Sequence, residues 1–193
     1  EYPDHPGDHM TIPLTQLENI IWRLPRNKAS GPSKLSYDHI RYACSRSQDV
    51  LASLARTLEF LLNNPEEAPS SCFQADAFFL EKPNSNKLRP IVLQESFTKI
   101  LHIWLNKRLM LGLYCYKDLY DMQYCINHSN GTAEAARKIQ RFITRENTTQ
   151  YAIAIDFTNA FNSIDRYIIL RNLQELGFDK TIRHYIGTYL NKF

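Results

Sequence analysis

At 193 residues, 44% of them hydrophobic and 22% charged, the chain has the composition of a globular protein with room for one sizeable core. A formal net charge of +3 permits a nucleic-acid partner without by itself arguing for one. No apolar run approaches the roughly 18 residues that a membrane span needs, and the opening EYPDHPGDHM is polar, so no membrane contact is expected. The same opening lacks an initiator Met and reads as an excerpt or a processed product. Cys44, Cys72, Cys115 and Cys125 form no CxxC pair, which favours free thiols in a reducing, intracellular compartment.

In chain order, Leu14, Leu17, Ile20, Ile21 and Leu24 recur at helical spacing, and Pro25 ends the run. The turn-rich, basic NKASGPSKLS of residues 27–36 follows, and Ser36 is placed to cap a second helix through YDHIRYAC. Val50, Leu51, Leu54, Leu58, Leu61 and Leu62 mark a third helix, closed by Asn63-Asn64-Pro65. At Phe73 the pattern changes: FQADAFFLEKP and KLRPIVL are strand-like runs separated by the turn residues NSN. Phe97, Ile100, Leu101, Trp104, Leu105 and Leu109 then share one face of a longer helix.

Residues 119–132 read as irregular, and Thr132 is placed to cap a further helix. There Ala136, Ile139 and Ile143 are expected to face inward. Arg137, Lys138, Arg141 and Arg145 lie on or beside the opposite face, where they could meet phosphates or merely be solvated. The run YAIAID, residues 151–156, alternates as a strand does. Tyr151, Ile153 and Ile155 point one way, while Ala152, Ala154 and Asp156 point the other, so the carboxylate ends the strand on an open face. Asp165 is expected to cap a helix through Ile169, Leu173 and Leu176 with Gly177 at its C′ position, and Asp179 to start the last helix.

Four stretches, in order, resemble the reverse transcriptases of non-LTR (LINE-like) retrotransposons: NKASGPSKLSYDHIR, FFLEKPNSNKLRPIVLQESFTKILHIWLNKRL, QYCINHSNGTAEAARKIQRFI and IAIDFTNAFNSIDRYIIL. The resemblance spans about residues 20 to 178. It implies an α+β fold of right-hand polymerase fingers with an incomplete palm and a helical N-terminal lead-in. The implied segments are 1–70 for the lead-in, 71–148 for the fingers and 149–193 for the first part of the palm. On this resemblance Asp156 matches the first catalytic carboxylate, with the Phe157 carbonyl as a further ligand of Mg²⁺. Phe161 matches the aromatic residue that excludes a 2′-hydroxyl, and Arg89 the arginine along the incoming triphosphate, with Lys82 and Lys87 as secondary contacts. RNA template and DNA primer are the implied partners, with Arg137, Lys138, Arg141 and Arg145 as nucleic-acid contacts.

The departures are as specific as the matches. Asn162 stands where many relatives have Asp, Ser33-Lys34 replace the Asp-Gly of a GPDG run, and no F/Y-x-D-D turn occurs. One carboxylate does not hold the two Mg²⁺ ions of nucleotidyl transfer, so these residues alone are expected to be inert. Two readings follow. The chain is part of a longer polymerase, completed by a downstream segment or a partner chain, or it is a derived remnant that serves as a structural or RNA-binding subunit. A third, an unrelated metal-dependent nuclease, has only Asp156 behind it. Read as single residues, Asp156 could cap a turn, Phe161 could be core and Arg89 could pair with a surface carboxylate.

Overall fold

The computed structural model describes residues 8–81, 88–114, 116, 123–127, 129–144, 151–157 and 160–192. Among them, helices dominate and one two-stranded antiparallel sheet is present. The chain divides into two compact units, 1–108 with 166–193, and 109–165; the boundary falls inside one long helix.

In the first unit, α1 (Leu14–Arg23), α2 (Tyr37–Arg46) and α3 (Gln48–Asn63) pack on one another. Their start signals lie in the sequence. Ser36 accepts from the His39 backbone N–H, and the His39 ring accepts from the Ser36 N–H, a reciprocal cap. Ser47 caps α3 through the Asp49 N–H. The apolar stripes then meet in one core of Leu17, Ile20, Ile21, Leu51, Leu58, Leu61 and Leu62, all essentially removed from water. Leu14 and Val50, assigned to the same stripes by spacing, remain exposed at the helix starts. The stretch before α1 is tied down: Asn63 exchanges two hydrogen bonds with the Met10 backbone, and Glu59 accepts from Ile12 N–H.

After a 3₁₀ turn at Ser70–Phe73, β1 (Ala75–Glu81) and β2 (Leu88–Gln94) pair in register from Ala75 opposite Gln94 to Glu81 opposite Leu88. Residues 82–87 between them, with Lys82 and Lys87, lie outside the described residues. α4 (Ser96–Leu113) buries Ile100, Leu101, Trp104 and Leu105, and Trp104 donates through Nε1 to Gln16 of α1 at 3.0 Å. The loop of residues 27–36 docks on the end of β2. Glu95, almost fully buried, accepts from the Ser33 N–H and hydroxyl at 2.8 and 2.6 Å. Gly31 is required there, since a Cβ would lie 2.5 Å from the Gln94 carbonyl oxygen. The Ser33-Lys34 departure is therefore part of a built turn, with Lys34 at φ +61 and its Nζ 3.1 Å from Asp76.

The second unit contains the short α5 (Tyr124–Asn127), α6 (Gly131–Ile143) and the short α7 (Ala160–Ser163). The first unit resumes with α8 (Arg166–Glu175) and α9 (Lys180–Lys192), which pack together, α9 also meeting α3. Gly177 follows α8 at φ +71, and the paired Phe178-to-Leu173 and Gly177-to-Gln174 backbone bonds close the helix as a Schellman motif. Asp179 caps α9 by accepting from Thr181 N–H at 2.7 Å.

Three local expectations need correction. The expected strand at 151–156 has no regular secondary structure, because none of the described residues offers it a ladder partner. α6 starts at Gly131 with Asn130 in the N-cap position, so Thr132 lies within the first turn instead of capping it. Within the stretch read as irregular, Tyr124–Asn127 forms the short α5.

Candidate nucleic-acid interface

α6 carries most of the charge that the sequence singled out. Its start is fixed by a close approach: a Cβ at Gly131 would fall 1.6 Å from the Tyr124 carbonyl oxygen, so only glycine lets α6 begin against α5. Nearly two turns on, Arg137, Lys138 and Arg141 follow at helical spacing. With Ser129, Asn130 and Glu134 they line a polar cleft of about 340 Å³. Arg137 donates through Nε to the Ala133 carbonyl at 3.2 Å, which holds its guanidinium along the helix. The Lys138 ammonium sits over the Tyr124 ring, 4.8 Å from its centroid. Three cations against the single carboxylate of Glu134 leave a net positive cleft, open to solvent. Such a surface attracts polyanions and, through the planar forks of two arginines, suits phosphate oxygens. Arg145, the fourth expected contact, lies outside the described residues.

The opposite side of α6 differs from its expectation. Ile139 and Ile143 do not face inward; they are 54% and 65% exposed, and Phe142 is 40% exposed. The amphipathic pattern is genuine, but within its compact unit nothing described covers the apolar stripe.

The residues matched to catalysis are dispersed. Asp156 and Phe157 lie in the exposed segment 151–157 of the second unit. Arg89 is an exposed residue of β2 in the first unit, opposite Leu80. Phe161 belongs by backbone to α7, and its side chain lies outside the described residues, as do Lys82 and Lys87 entirely. Among the described residues no three His, Cys, Asp or Glu side chains converge as a metal-binding group. Asp156 with the adjacent Phe157 carbonyl supplies too few oxygen donors for an ion that seeks octahedral coordination. Also among the described residues, no helix is long and apolar enough to cross a membrane.

Sequence reasoning passed over His102 and read Tyr185 and Tyr189 only as positions along the last helix, with no site role. His102 meets the Tyr185 hydroxyl at 3.0 Å, and its ring is edge-on to both tyrosines of α9. Burial lowers the imidazole to about 4, so it is neutral at pH 7, and burial raises the Tyr189 phenol to about 12. The signal was available in the spacing of Tyr185 and Tyr189, four residues apart, but their partner on α4 is distant in sequence.

No family model matches the chain. A type-1 glutamine synthetase of Dictyostelium discoideum (type-1 glutamine synthetase 1) is 25% identical over 141 residues, covering 72% of this chain. The chain spans about a quarter of that protein, 26% of its length. These findings overturn the identification of the chain as a reverse transcriptase of the non-LTR retrotransposon family: the curated relative is of another kind. Four soft patterns in order, each tolerant of substitution, did not amount to family membership.

Proposed function

We propose that the chain binds RNA through the basic cleft of α6 and works as the template- and nucleotide-holding part of a larger polymerising assembly, making no polymer by itself. The observation that carries this is the convergence of Arg137, Lys138 and Arg141 on one cleft with a single carboxylate. Arg89, exposed on β2, is the proposed contact of an incoming deoxynucleotide's triphosphate. In this reading segments 1–70, 71–148 and 149–193 are a lead-in, fingers and an incomplete palm. Asp156 becomes catalytic, with Mg²⁺, only beside carboxylates supplied by a downstream segment or a partner chain. A second reading, an RNA-binding subunit with no share in chemistry, draws on the same cleft and on the solvent-exposed position of Asp156. The glutamine synthetase contributes no activity to either reading, since the chain spans only about a quarter of that protein.

The test is fluorescence anisotropy with a single-stranded RNA 12-mer. Replacing Arg137, Lys138 and Arg141 together by Gln is expected to weaken binding on the order of tenfold or more, because charge-assisted contacts to phosphate are the strong ones. Equal affinity of wild type and variant sinks the RNA reading. Deoxynucleotide addition to a primer by the chain alone would sink the claim that it is inert.

A further inference from the structure

The outward face of α4 carries Lys99, His102, Ile103, Asn106 and Lys107, spaced three, four, seven and eight residues from the first. That is one side of a helix, opposite the buried Ile100, Leu101, Trp104 and Leu105. With Tyr37 at the start of α2 and Gln94 at the end of β2, these residues line a cavity of about 470 Å³, wholly within the first unit. Its walls combine two aromatic rings, one aliphatic side chain, two amides and two ammonium groups, with no carboxylate among the lining residues. The back wall is fixed. His102 is held by Tyr185, and Gln94 donates through Nε2 to the Tyr189 hydroxyl, so neither ring nor amide is free to swing. Toward the front, among the described residues, no side-chain hydrogen bond engages Tyr37, Lys99, Asn106 or Lys107, although Tyr37 and Lys99 are half-buried; the buried Glu95 carboxylate, behind the lining, acts on the Lys99 charge only through space.

We propose that this cavity holds one nucleotide of a single-stranded RNA, its base against Tyr37 and Ile103 and its two flanking phosphates on Lys99 and Lys107. The separation of eight positions sets the lysine Cα atoms about 12 Å apart along the helix, leaving the width of a base and sugar between the charges. Aromatic and aliphatic walls accept the π-face of a base, which is how sequence-tolerant single-strand sites are built. The Asn106 amide and the remaining Gln94 carbonyl can each meet a base edge by hydrogen bonds. The imidazole at the back, its Nε2 engaged by Tyr185, adds a ring edge and no charge, so the charged groups of the lining are Lys99 and Lys107 alone. The proposal rests on the reading of the chain as an RNA binder, but it names a second site that does not involve α6.

The experiment follows the Ile103 methyl resonance of the full chain during titration with pentaadenylate RNA, with an abasic ribose-phosphate pentamer and with adenosine 5′-monophosphate. Pentaadenylate is expected to shift the resonance and bind about tenfold more tightly than the abasic strand. Adenosine monophosphate, with one phosphate, is expected to shift it more weakly; a mononucleotide as tight as the strand would overturn the two-phosphate geometry. Lys99→Gln with Lys107→Gln, or Tyr37→Leu alone, should weaken the pentaadenylate shift about tenfold while the α6 triple variant leaves it intact. No shift of Ile103 with any probe, or shifts that vanish only in the α6 variant, would overturn the pocket and leave the α6 reading standing. Shifts lost in the pocket variants, with RNA affinity indifferent to α6, would keep the pocket and remove the reading of α6.

Discussion

The helical core of the first unit and the apolar runs of the hairpin and of residues 151–157 are built from similar amino acids with opposite outcomes. Leu17, Leu58, Leu62, Ile100 and Trp104 are essentially inaccessible to water. Phe79, Ile153 and Ile155 are 64%, 85% and 74% exposed, and Phe78, Leu80, Leu88 and Val92 are also largely open. The difference is one of partners. A helix satisfies its own backbone and needs only neighbouring stripes, which α1, α2, α3, α4 and α9 give one another. A strand must find hydrogen-bonding neighbours as well, and an isolated two-stranded ribbon is marginal in water. Exposed apolar patches of this kind mark surfaces that meet something else.

Truncating the core should therefore cost far more than truncating the exposed runs. Leu58→Ala is expected to destabilise the chain by about 3 kcal/mol, as buried leucines do, whereas Ile153→Ala should stay within about 0.5 kcal/mol. Urea denaturation of both variants reads the contrast directly. Equal losses would mean that residues 151–157 are packed in solution.

A second contrast is set by pH. Folded His102, in contact with Tyr185 and Tyr189 and lining a cavity with Tyr37, Lys99 and Lys107, takes a proton only near 4, against 6.5 for an ordinary imidazole. The unfolded chain binds the proton first as pH falls. Stability contributed here is full above 6.5 and declines as pH drops toward 4. The loss amounts to about 3 kcal/mol across that window. Urea midpoints for wild type and His102→Phe at pH 7.5, 5.5 and 4.5 should converge as pH falls. Parallel curves would show that the imidazole is solvated.

Smaller effects belong to the helix ends. Gly177→Ala, forcing a Cβ into φ +71 with no steric neighbour within 4 Å, should cost about 1 kcal/mol from backbone strain alone. Asp179→Ala, removing the acceptor for Thr181 N–H, should cost a similar amount, about 1 kcal/mol. A Gly177→Ala protein as stable as wild type in thermal melts would argue that the turn after α8 relaxes.

These same positions mark what was legible in the sequence. Ser36, Gly177 and Asp179 act within a few residues of themselves, and each did what its local chemistry implied. The stripes of α1, α3 and α4 were legible because helix periodicity and burial coincide there. The alternation of Tyr151 to Asp156 has the same clarity, yet no strand forms, since alternation describes one strand and says nothing of its neighbour. Ile139 and Ile143 failed in the same way: the pattern is amphipathic, but among the described residues of their unit none covers it. Glu95 with Ser33, and His102 with Tyr185, were out of reach because the partners lie 62 and 83 residues apart. The candidate site was legible as a basic helix face. The cleft itself, which depends on Gly131 touching Tyr124, was not.

The claim that most needs a direct test is that Arg137, Lys138 and Arg141 act together on an RNA backbone. The measurement is the dependence of RNA affinity on salt for wild type and for the variant with all three replaced by Gln, as the slope of log affinity against log salt. Each phosphate neutralised on a single strand contributes about 0.7 to that slope, so losing three contacts should flatten it by about 2. A flattening near that value supports the cleft of α6 as the RNA-binding site; slopes that coincide would contradict it.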